Sequence, residues 1–244
     1  MLQIFKGKRN EDLLEVLKHH KLDNHKVYIS LEEIKKLLKF GELNPVVYDF
    51  IIKYNLFFNE YNSLLLHNLK RLHIYIGYCD DKEINGLYIK NRMDLFIPRE
   101  EEYNPHDDVL IDTVYHELLH VATSDRKVEM MRSGISKKIG RYNLGHKLNE
   151  GYTEHLTGKY FAYNITDDYY YKERKYAENV ERLLGKDVME EAYFTGDLYT
   201  IIKGLGEYIE DPLEFMIKTD RGLIDPNETL DKIEAKRNKI LIKR

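Results

Sequence analysis

The chain has 244 residues, 43% hydrophobic and 33% charged, with 14 Gly and 5 Pro. That is enough apolar material for a sizeable core in one or two domains, without the bias of a disordered segment. Lys and Arg number 38 against 42 Asp and Glu, a mildly acidic balance that gives no electrostatic footprint for nucleic acid or an anionic membrane. The lone cysteine, Cys79, excludes an internal disulfide and favours the cytoplasm. Charges interrupt each apolar stretch of the N-terminus before a signal-peptide core forms, and no window approaches eighteen uninterrupted apolar residues, so neither a leader nor a membrane span is expected.

From Asn10 to about Leu69 apolar residues recur at helical spacing: Leu13, Leu14, Val16 and Leu17, then Leu31, Ile34, Leu37 and Leu38, then Val46, Val47, Phe50 and Ile51. Three or four helices follow from that period, with Ser30 as an N-cap and Asn44-Pro45 as another helix start. At His73 the texture changes. The runs His73 to Tyr78, Gly86 to Lys90 and Asp94 to Pro98 are short, β-branched or aromatic, and separated by polar turns, which predicts a small antiparallel sheet. A helix from about Val109 to Thr123 follows, capped by Asp107 or Asp108. Further helices are predicted over Lys147 to Tyr163, Asp168 to Leu184, Asp187 to Lys203, Pro212 to Lys218 and Asn227 to Ile242, the last two introduced by Asp-Pro turns. The fold class is therefore α+β and mostly helical: an N-terminal helical region over residues 1–70 and a second domain over 71–244.

The helix over 109–123 carries His116-Glu117-Leu118-Leu119-His120, an HExxH pattern. Residues four apart share a helix face, so two imidazoles at this spacing converge on one ion, and zinc at about 2.0–2.1 Å from each nitrogen suits them. Glu117, beside the first histidine, is placed to take a proton from a water whose pKa the ion lowers towards ~7. Catalytic zinc sites keep three protein ligands, so an Asp, Glu or His must follow on a nearby element. The metzincin extension would need Gly at 123 and His at 126; the chain has Thr123 and Arg126.

Downstream the chain reads Asn149-Glu150-Gly151-Tyr152-Thr153-Glu154, which resembles the Asn-Glu-x-x-Ser-Asp of gluzincin metallopeptidases. From roughly His73 to Tyr163 the order of a small sheet, an active-site helix, a connecting segment and a ligand helix is similar to thermolysin-like members. The resemblance implies a Zn2+ enzyme acting on a peptide or protein substrate, with His116, His120 and Glu150 as ligands and Glu117 as the catalytic base. It implies Glu154, with Asn149, as the residues supporting the ligands, Glu154 standing where the family has a shorter Asp. In the family an edge strand binds extended substrate through its main chain, a role open here to Gly86 to Lys90 or Asp94 to Pro98. The family also supplies an oxyanion donor from a Tyr before the ligand Glu and a His far downstream. No histidine follows His155, so Tyr142 is the first candidate, with Tyr193 and Tyr199 behind it.

The remaining histidines read as surface or packing. His146, a turn before Glu150, either reaches the cleft or faces solvent, and the second is preferred; His155 lies off the ligand face; His19 and His20 sit among lysines on a solvated helix. Cys79 reads as structural. The alternative to a peptidase is a zinc-binding regulatory or interaction protein that is weakly active or inactive.

Overall fold

The computed structural model describes residues 14–15, 17–18, 29–77, 86–98, 108–125, 132–140, 142–161 and 170–241. Cys79, His19, His20 and the proposed cap Asp107 lie outside them. The described chain is mostly helical, with two three-stranded sheets, and it divides into two compact units. Among the described residues no helix is long and apolar enough to cross a membrane.

One unit is built from α1 (Leu31–Leu37), α2 (Asn44–Phe57), α3 (Asn62–Leu69), a first sheet of β1 (His73–Gly77), β2 (Leu87–Ile89) and β3 (Asp94–Pro98), α4 (Asp108–Thr123) and a π-helical turn over Thr157–Phe161. Helices α1 to α3 share a unit with the sheet and α4. Ser30 opens α1 with a reciprocal capping box: its hydroxyl accepts from the Glu33 amide at 3.2 Å while its own amide donates to the Glu33 carboxylate at 3.0 Å, satisfying two orphan groups together. Phe50 of α2 is fully buried. It stacks on Phe161 with ring centroids 4.8 Å apart and lies 6.3 Å from Tyr115 of α4, so the aromatic payload of α2 is spent on holding α4 and the π turn.

The first sheet is mixed, not antiparallel. β3 lies in the middle, parallel to β1 and antiparallel to β2. The physical reason is burial: β3 carries Leu95 and Ile97, both fully buried, and the most apolar strand takes the position covered on both edges. A tight turn with Met93 at φ 60° returns β2 onto β3, which leaves β1 to pair along the other edge of β3. Asp94 to Pro98 is accordingly not an edge strand, and of the two segments proposed for main-chain pairing with substrate only the one containing β2 has an edge to offer.

The other unit holds a second sheet, β4 (Arg132–Ser133), β5 (Ser136–Ile139) and β6 (Tyr142–Leu144), antiparallel throughout, then α5 (His146–Leu156), α6 (Tyr171–Leu184), α7 (Lys186–Thr195), α8 (Leu198–Leu205), α9 (Pro212–Asp220) and α10 (Pro226–Leu241). The helix expected over Asp187 to Lys203 is two helices. Gly196 sits at φ +71°, ending α7 in the left-handed region, and Asp197 caps α8 by accepting from the Thr200 amide at 3.1 Å, so a Gly-Asp pair both stops one helix and starts the next. Asp211 and Asp225 start α9 and α10 as the Asp-Pro turns predict. In β5 Lys137 is fully buried; burial first, and then the Arg132 charge opposite it, bring its ammonium down to about 7, with Asp197 opposing.

Candidate metal centre

Helix α4 presents His116, Glu117 and His120, all buried at 5%, 8% and 7% exposure, while Val114, Leu118, Leu119 and Val121 are fully buried against the rest of the unit. The His116 and His120 Nε2 atoms lie 3.1 Å apart, with the rings at 72° to one another. An ion about 2.05 Å from both nitrogens at a tetrahedral angle sets their separation at about 3.3 Å, so the pair already has the bite a tetrahedral ion needs. At that distance one imidazole donates to the other, or both turn a lone pair to a common ion.

The helix is fastened at both ends of this motif. Tyr115, immediately before His116, donates its hydroxyl to Asp49 of α2. Lys53 lies 2.8 Å from Asp49, donates to the Phe161 carbonyl at 2.8 Å and sits 5.2 Å over the Tyr115 ring. Beyond His120, the buried Asn68 side chain of α3 donates to the carbonyls of Val121 and Ser124, each at 2.7 Å, giving partners to groups the helix end leaves unpaired. The Ser124 hydroxyl returns to the His120 carbonyl at 2.7 Å. Glu117 is held from the sheet side: a Cβ added at Gly86, the residue before β2, would stand 2.9 Å from the Glu117 Cγ and Oε1 and 2.8 Å from the Thr113 methyl. The backbone at Gly86 therefore lies directly on the proposed base, an approach that only a residue without a side chain permits.

Glu150 lies on α5, its side chain 15% exposed. That helix is anchored by three devices. Asp220, the last residue of α9, accepts from the amides of Gly145 at 2.7 Å and Lys147 at 3.0 Å; burial pushes its carboxyl up and those two amides pull it back. Asn149 spends its side-chain oxygen on the Ile135 amide at 3.1 Å, in the β4–β5 turn. Gly151 is pressed against α6, where a Cβ would stand 1.9 Å from the Glu173 carbonyl oxygen. Among the described residues, His116, His120 and Glu150 are the group of His, Cys, Asp and Glu that could hold a metal ion.

The other residues singled out from sequence fall as follows. Tyr142 is half-buried on β6, with the Arg221 guanidinium 5.8 Å from its ring. Tyr193 is fully buried and its hydroxyl shares a 2.7 Å hydrogen bond with Thr153 of α5. Tyr199 of α8 has the Lys18 ammonium 5.7 Å from its ring. Glu154 is half-buried on α5. His155 bridges Glu178 and Glu181 of α6 at 3.5 Å each, in keeping with a packing role. His146 is exposed, as its surface reading expects, and it also places Nδ1 3.4 Å from the Glu150 Oε1. Gly86, Gly151 and Asp220 were not legible as site residues, because a glycine or a capping aspartate reveals its purpose only through what it touches.

The chain matches no family model, no curated protein and no solved structure.

Proposed function

We propose that the chain is a zinc-dependent metallopeptidase of the gluzincin type, with a zincin-like fold, in which His116, His120 and Glu150 hold the metal and Glu117 is the general base. The observation that carries this reading is the pair of imidazoles on α4, their Nε2 atoms 3.1 Å apart, with a buried carboxylate, Glu117, on the same helix; Glu150 completes a group that could hold a metal ion. Two imidazole nitrogens and one carboxylate oxygen are a donor set suited to zinc, and three protein ligands leave a fourth position for water or substrate. A bound zinc ion supplies Lewis acidity, lowering the pKa of a ligated water towards ~7 and polarising a scissile carbonyl.

The chain's own residues do the rest. Glu117, against the Gly86 backbone, accepts a proton as the peptide carbon is attacked and returns it to the leaving amine, the usual exchange of base and acid roles by one group. The outer edge of β2, which pairs with no other strand among the described residues, offers main-chain amides and carbonyls to an extended peptide, and its approach to Glu117 through Gly86 brings such a strand to the base. Tyr142 is the proposed donor to the carbonyl oxygen as negative charge develops there. The substrate class is a peptide or protein, and specificity lies in pocket shape rather than in the metal motif.

The experiment is metal removal and return. Cleavage of a peptide library by the zinc-loaded protein is expected to fall to background after chelation and to recover with one equivalent of zinc. Cleavage that survives chelation would refute the reading; a protein that binds zinc but cleaves nothing leaves the alternative, a zinc-binding regulatory protein.

A further inference from the structure

We infer that His146 is a positioning residue for the metal, holding the Glu150 carboxylate by donating from Nδ1 to one oxygen so that the other is turned to the ion; this rests on the metallopeptidase reading above. Nδ1 lies 3.4 Å from Oε1, and the two residues are four apart on α5, on one face of the helix. The backbone on which the imidazole stands is unusually well fixed. Asp220 accepts from the amides of Gly145 and Lys147, the residues on either side of His146, so one half-buried carboxylate clamps the first turn of α5 around it.

An exposed pair four apart on a helix contributes little. This pair differs on the carboxylate side, because the Glu150 side chain is only 15% exposed and is the proposed third ligand. A carboxylate with little water around it takes its second hydrogen bond from the protein, and partners of that kind fix the ligand's orientation at a metal. The imidazole itself is 51% exposed. Its removal therefore leaves no cavity, and an effect on the metal can be separated from an effect on folding.

The test measures zinc affinity by competition with a chromophoric chelator for the wild type, Glu150→Gln, His146→Ala and His146→Gln, alongside the melting temperature of each metal-free protein. His146→Ala is expected to bind zinc about 10–100-fold more weakly, His146→Gln, whose amide N–H also reaches four residues along the helix, to recover most of that loss, and the metal-free melting temperatures to agree. Wild-type affinity in His146→Ala, or equal losses in Ala and Gln, overturns the inference while a weakened Glu150→Gln leaves the ligand assignment standing. Wild-type affinity in Glu150→Gln overturns both.

Discussion

Replacing Glu117 by Gln is expected to lower kcat/KM for peptide cleavage by about 10²–10⁴-fold while leaving zinc affinity close to that of the wild type. The substitution keeps the side-chain shape, which matters because the residue is 8% exposed and lies against the Gly86 backbone, so packing around the pair of imidazoles is preserved. What is lost is the capacity to accept a proton: a carboxylate is acceptor-only, whereas an amide presents a donor and cannot be protonated near neutral pH. Steady-state kinetics on a fluorogenic peptide, paired with a zinc titration, separate the two effects. Wild-type turnover in the zinc-loaded Gln protein would remove Glu117 from the mechanism, and a parallel loss of zinc would mean that it acts by holding the metal.

The second large effect is structural. Gly151→Ala is expected to destabilise the protein by about 3 kcal/mol or more, which for a chain of this size lowers the melting temperature by roughly 10 °C. The added methyl would stand 1.9 Å from the Glu173 carbonyl oxygen, 2.2 Å from its carbon and 2.8 Å from the Arg174 nitrogen. These are backbone atoms of α6, unable to rotate aside as the end of a side chain would, so α5 and α6 must separate. Glu150 is the neighbouring residue, and the movement is expected to weaken zinc binding as well. Thermal unfolding followed by circular dichroism checks the first effect; an unchanged melting temperature would contradict the helix contact.

The helices that carry the proposed ligands were legible because their signals are local. A histidine pair four apart on an apolar-periodic segment, and a glutamate on a second such segment, need only helical geometry to be recognised. Ser30, Asn44-Pro45 and the Asp-Pro turns announced their helix starts for the same reason. Sheet topology was not legible, since β1, β2 and β3 each read as a half-buried strand and only their relative burial places β3 in the centre. The short strands of the second sheet, Arg132 to Leu144, are two to four residues long, too few for a period-2 pattern to stand out. The break at Gly196-Asp197 was visible as a turn dipeptide but was outweighed by the helical periodicity on both sides. His146, Gly86, Gly151 and Asp220 draw their significance from partners distant in sequence or from a shared face with Glu150, and no spacing rule reports such contacts.

The central claim is that one ion is held by two imidazoles of α4 and one carboxylate of α5, and zinc titration of single-ligand variants tests it most directly. The wild type is expected to bind one zinc per chain. His116→Ala, His120→Ala and Glu150→Gln should each weaken that binding by more than the roughly 10–100-fold expected of a residue that only supports a ligand. A chain that binds no zinc, or a Glu150→Gln protein with wild-type affinity, would contradict the account.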